Sequence, residues 1–105
     1  MPEGFANTPE PPYYAVIFTS RRTEDDNGYD VMASAMFELA LKQPGCLGVE
    51  HAREVSGLGM TVAYFTDETA ILSWKQNSQH LGARRLGKAL WYSHYEIRVG
   101  KIERY

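Results

Sequence analysis

Hydrophobic and polar positions divide this chain into a run of alternating strand and helix signals. Residues 13–20 read Tyr-Tyr-Ala-Val-Ile-Phe-Thr-Ser. This β-prone run lacks clean alternation, which predicts a strand buried on both faces in the middle of a sheet. Tyr29, Met32, Ala33, Met36, Phe37 and Ala40 then recur at helical spacing. Asp26 or Asn27 is the expected N-cap of this helix, and Pro44-Gly45 its stop. Residues 46–54 form a second strand, with Leu47, Val49, His51 and Arg53 on one face. The turn at Ser56-Gly57-Leu58-Gly59 leads into a third strand over 60–66, with Thr61, Ala63 and Phe65 opposite Met60, Val62 and Tyr64.

Asp67 and Glu68 favour a helix start, and Ala70, Ile71 and Trp74 continue it. Asn77-Ser78 interrupts that helix. It resumes over 79–90, with Ala83, Leu86 and Leu90 expected inside and Arg84, Arg85 and Lys88 outside. The last fifteen residues are strand-like, with Tyr95, Ile97 and Val99 alternating with polar partners. That is long for one strand of a small domain. The apolar positions slip after Gly100 to Ile102, which predicts a bulge there. Residues 92–99 would complete the home sheet and 101–105 would reach a partner's sheet.

The order β-α-β-β-α-β predicts an α+β, ferredoxin-like domain over 13–105, with a four-stranded antiparallel sheet and helices on one face. Residues 1–12 hold four of the five prolines and read as a flexible or extended arm. Ala15, Ile17, Val62, Tyr64, Ile97 and Val99 supply more apolar strand surface than one helical layer covers. A second subunit supplying a second sheet, hence a homodimer, accounts for the excess.

Charge changes this picture little. Residues 1–74 carry four Lys/Arg against eleven Asp/Glu, and 75–105 carry seven against two. The two halves either neutralise each other on folding or leave a basic pocket wall for an anionic ligand. The basic residues come without a nucleic-acid motif, so no nucleic-acid partner is expected. Cys46 stands alone, which rules out an intrachain disulfide and fits a cytoplasmic location. No apolar run approaches membrane-spanning length, so no membrane partner is expected. His51, His80 and His94 lack metal-ligand spacing, so no metal is expected.

Several stretches resemble a known family. They are Pro44-Gly45-Cys46-Leu47-Gly48-Val49-Glu50, Tyr64-Phe65-Thr66-Asp67-Glu68-Thr69-Ala70, Trp74 followed by His80, and Trp91-Tyr92 opening a strand through Ile97-Arg98-Val99. Together they resemble the antibiotic biosynthesis monooxygenase superfamily, and within it a bacterial branch of mostly uncharacterised small proteins, over residues 13–105. The resemblance implies a dimeric α+β barrel and cofactor-free oxygenation of aromatic, quinone-type substrates. The haem-degrading branch of that superfamily places a haem-ligating His ten residues after the helix Trp. Here that position is Arg84, and residues 13–20 also lack that branch's Asn, so haem degradation fits less well.

Within this frame Trp74 is either core packing or a pocket wall that stacks an aromatic ring. His80 is either a structural histidine or a base near neutral pH. Arg84 shares its helical face and either is solvated or stabilises an anion. These three are the catalytic candidates. Tyr64, Tyr95 and Trp91 are the candidate substrate-binding residues, with structural roles as their alternative. A non-catalytic ligand-binding or stress-related dimer is the alternative to an enzyme.

Overall fold

The computed structural model describes residues 3–26 and 28–104, apart from the side chain of Ser78. Strand β1 (Tyr13–Arg22) leads through helix α1 (Tyr29–Leu41) to the hairpin of β2 (Cys46–Arg53) and β3 (Leu58–Phe65). Helices α2 (Glu68–Gln76) and α3 (Ser78–Leu86) follow, then a π-helical turn at Gly87–Trp91 and strand β4 (Tyr92–Ile102). The strands pair antiparallel in the order β2-β3-β1-β4. This is the expected ferredoxin-like α+β arrangement.

Register assigns each side chain to a face. Val16 lies opposite Ala63 and Val99, and Ala63 lies opposite Val49. This face meets the helices. Ala40, Val49, Ala63, Phe65 and Trp74 form its core, with Val16, Met36, Phe37, Leu39 and Ile71 packed around them. Phe65 is 0% exposed, and burial of such a ring contributes roughly 1.5–3 kcal/mol. On the opposite face Ile17 lies beside Val62 and Arg98, and Val62 beside Glu50.

Local chemistry explains the element ends. Helix α1 starts at Gly28 (φ 80°), and the Asp26 carboxylate accepts from the backbone N–H groups of Gly28 and Asp30. The cap is therefore Gly28 and not the expected Asp26, which supports the helix start from two positions before it; Asn27 lies outside the described residues. Gly45 (φ +82°) brings the start of β2 against the start of α2. A Cβ there would stand 2.7 Å from the Ala70 Cβ and 2.8 Å from the Thr66 hydroxyl.

Five expectations about the helices and strands are corrected. Strand β4 pairs with β1 without a break through Gly100, so Lys101 and Ile102 belong to the home sheet. The irregularity lies instead at Arg21/Arg22, opposite the step from His94 to Tyr92. The regular pairing along the rest of β4 puts Ile97 and Val99 on the helix side, opposite Phe18 and Val16. They stay 46% and 54% exposed, because the helices lie toward β2 and β3. Leu47 falls at the bulge between Cys46 and Gly48 rather than in the row of Val49, His51 and Arg53. The second helical run ends at Leu86, where Gly87 lets the chain tighten against the Tyr92 ring. Of its expected inward row only Ala83 is buried, while Leu86 and Leu90 are exposed.

The described part of the N-terminal arm has no helix or strand and crosses the helix-free face. The Ala6 N–H donates to Glu50 Oε2 (3.0 Å), and the Tyr13 hydroxyl donates to Thr8 Oγ1 (3.1 Å). A Cβ on Gly48 would come within 2.7 Å of the Ala6 Cβ.

Gly45→Ala is expected to destabilise the fold by about 2–4 kcal/mol, from left-handed backbone strain plus overpacking against Ala70. Urea unfolding followed by circular dichroism measures this, and an unchanged midpoint would contradict the contact.

Candidate functional site

Helix α2 begins at Asp67, whose carboxylate accepts from the Ala70 N–H (2.8 Å). It ends at Asn77, whose backbone N–H donates to the Trp74 carbonyl (3.1 Å). Asn77 then leaves the helical conformation (ψ 129°), and its side-chain oxygen accepts from the N–H groups of Gln79 (3.0 Å) and His80 (3.1 Å). One residue therefore stops one helix and starts the next.

This break returns His80 onto Trp74. The two rings stack with centroids 4.1 Å apart and planes 8° from parallel. His80 Nδ1 lies 2.9 Å from the Trp74 carbonyl oxygen. A carbonyl only accepts, so Nδ1 carries the proton, and Nε2 keeps its lone pair. Burial lowers the His80 pKa, the Trp74 carbonyl works against that shift, and the Arg84 charge adds to it. The ring is thus a neutral imidazole with one basic nitrogen at neutral pH. Trp74 is 9% exposed and forms part of the core, so the stack rests on a fixed wall. Of the six candidate residues, Trp74 and His80 meet here, and Arg84 is near enough for its charge to act on His80.

Trp91 and Tyr95 belong to a second cluster, where β1 ends and β4 begins. Trp91 meets Tyr29 edge to face (5.8 Å), and Tyr95 stacks on Phe18 (5.5 Å). Two arginines sit among these rings. The Arg22 guanidinium lies 3.8 Å from the Tyr29 ring centre and donates to the Trp91 carbonyl (2.6 Å). Arg53 donates to the Gly57 carbonyl (2.6 Å), to the Ser20 hydroxyl (2.8 Å) and to the Tyr29 hydroxyl (3.3 Å). Burial, then the Tyr29 hydroxyl, push the Tyr92 phenol far above its ordinary value.

Tyr64 is on the other face of the sheet, so the expected common lining with Tyr95 does not form within the chain. Its hydroxyl donates to Glu50 Oε1 (2.5 Å), and its ring meets Tyr13 edge to face (5.7 Å). Burial and that bond to Glu50 push its pKa up to about 12. Sequence reasoning missed Asn77 as a double cap, and it gave Arg22, Arg53 and Tyr29 no part in a site. Asn77 was signalled by its place at the break. The arginines carried no local signal, because their aromatic partners are distant in the chain.

Among the described residues, no group of three His, Cys, Asp or Glu is arranged to hold a metal ion. No described helix is long and apolar enough to cross a membrane.

No protein-family model matches the chain. A Bacillus subtilis (strain 168) protein, YqjZ, is 46% identical over 104 residues, which span 99% of this chain and 91% of that protein. Among solved structures, a mutant of SnoaB, a cofactor-independent oxygenase from Streptomyces nogalater, has a TM-score of 0.76 at 14% identity. The match covers 89% of this chain and 95% of that one. An antibiotic biosynthesis monooxygenase has a TM-score of 0.70 at 13% identity, covering 83% of this chain and 95% of that one. At these identities the likeness establishes a shared fold.

Because the His80 pKa is lowered on folding, the unfolded chain binds a proton there that the folded chain does not, in the window below the ordinary value of 6.5. The stability from this site is therefore present above that window and is lost as the pH falls through it. His80→Gln is expected to flatten this part of the profile between about pH 7 and 5. Urea midpoints at the two pH values check this, and a wild-type slope in the variant would contradict it.

Proposed function

Because the chain belongs to the family of the Bacillus subtilis protein YqjZ and has the fold of the antibiotic biosynthesis monooxygenases, we propose that it is a cytoplasmic, homodimeric, cofactor-independent monooxygenase acting on a small phenolic or hydroquinone-type molecule. The observation that carries this reading is the bond from His80 Nδ1 to the Trp74 carbonyl, which leaves Nε2 as an acceptor. The phenolic proton passes to that nitrogen. Arg84, close enough to His80 to depress its pKa, supplies positive charge for the resulting anion. The ionised substrate gives its electrons to dioxygen. One oxygen atom enters the ring as the new quinone oxygen, and the other leaves as water with the two hydrogens that the substrate loses. The protein's share is orientation and proton handling.

The homodimer is supported by the helix-free face, where Leu58 and Met60 are exposed beside Ile17 and Val62. The basic character of residues 75–105 supports an anionic ligand state.

A second reading, a ligand-binding dimer without turnover, draws on a different observation. A groove of about 490 Å³ between α1 and α3 is lined by Met32, Met36, Leu39, Gln79 and Leu86, and neither His80 nor Arg84 contributes to it. A ligand held there would lie beside Glu38 and Lys42 and apart from the His80 imidazole.

Oxygen uptake with a panel of hydroquinones separates the two readings. The wild type is expected to consume oxygen, and His80→Ala to lower kcat by about 100-fold or more, as loss of a general base does. Equal rates would remove His80 from the reaction. Ligand binding with no uptake by the wild type would favour the second reading. Haem binding is tested by adding haemin and looking for a Soret shift.

A further inference from the structure

The helix-free face is covered unevenly. Tyr13 and Ala15 are 5% and 2% exposed, although no helix packs on their side of the sheet. Farther along the same face Met60 is 48% exposed and Leu58 is also open. The difference follows the arm. Residues 3–12 lie over Gly48, Glu50, Tyr64 and Tyr13, at the Tyr13 end of β1, and leave the other end bare.

The arm's seat is specific. Glu50 uses one carboxylate oxygen for the Ala6 N–H and the other for the Tyr64 hydroxyl. Thr8 accepts from the Tyr13 hydroxyl. Gly48 has no room for a side chain, because Ala6 lies where its Cβ would be. The outer side of the arm is loose by comparison. Phe5 is exposed, and a groove of about 400 Å³ opens between Gly4–Asn7 and Phe37, Leu41, Leu47 and His51. Lifting the arm therefore breaks a few polar contacts and uncovers little of Phe5.

We propose that residues 3–12 are a strap that competes with a second copy of this chain for the helix-free face. With the strap seated, only the half around Ile17, Met60, Val62 and Leu58 is open to the second copy. With the strap lifted, Tyr13, Ala15 and Tyr64 join the contact, and the two sheets pair over their whole width. The occupant is a second copy because the β1–β3 strip of the open half (Ile17, Val62, Met60 and Leu58) is apolar and runs along the same two strands into Ala15, Tyr13 and Tyr64 beneath the strap, while Glu96 and Arg98 keep the β4 side polar. This inference rests on the homodimer proposed above and adds a control on its strength.

The test lifts the strap without touching the sheet. Ala6→Asp places a carboxylate next to that of Glu50 in the full-length chain and leaves the core intact. Chymotryptic cleavage after Phe5 is expected to accelerate about tenfold or more. The dimer dissociation constant from analytical ultracentrifugation is expected to fall about tenfold or more. Adding Glu50→Gln to Ala6→Asp removes the repulsion and should return both values toward the wild type. Faster cleavage with an unchanged dissociation constant overturns the competition, and so does unchanged cleavage. A chain that stays monomeric at about 100 μM, with or without Ala6→Asp, removes the homodimer and the strap's role together. A wild-type dimer that Ala6→Asp leaves unaltered overturns the strap alone.

Discussion

A single amide oxygen decides how the helical layer is built. Asn77 Oδ1 holds two of the free N–H groups at the start of α3, and the Asn77 backbone closes the end of α2 on the Trp74 carbonyl. A straight continuation would carry His80 away from Trp74, since positions six apart on one helix face different sides. The break turns that separation into a parallel stack and lets one carbonyl accept from both Asn77 and His80. A cap of this kind contributes about 1 kcal/mol. Its larger effect is positional, because it selects the imidazole tautomer.

The arginine cluster shows a different use of charge. Among the described residues Arg22 and Arg53 make no ion pair, and the ion pairs that do occur join Glu96 to His94 and Arg98 on exposed β4. Both guanidinium groups are instead satisfied by carbonyl and hydroxyl oxygens and by aromatic faces. A planar fork meets several neutral acceptors at once, which a lysine ammonium on a flexible stem does less well. The pair ties the ends of β1 and β2 to the start of β4 through Ser20, Gly57 and Trp91. It also leaves net positive charge between the sheet and the helices.

How much of this was legible in the sequence depended on how local each signal was. Helix α1, the β2–β3 hairpin and the interruption at Asn77 came from neighbouring residues, and all three are present. The faces of β4 were misjudged because they depend on pairing with β1. The apolar shift at Gly100 looked like a bulge, while the actual irregularity at Arg21/Arg22 follows from strands far apart in sequence. For the same reason Tyr64 and Tyr95 could not be assigned to opposite faces from periodicity alone. Trp74, His80 and Arg84 could be grouped, because a helix break and a four-residue spacing are both short-range features.

The contact between Ala6 and Gly48 also constrains the family's history. Two positions separated by forty-one residues share one space too small for a second side chain. A lineage that gains a larger residue at either position must shift or abandon the seat of the arm. Glu50 would then keep only its bond to the Tyr64 hydroxyl. Changes at Ala6 and Gly48 should therefore be coupled, and Thr8 and Glu50 are tied to the Tyr13–Tyr64 pair through its two hydroxyls.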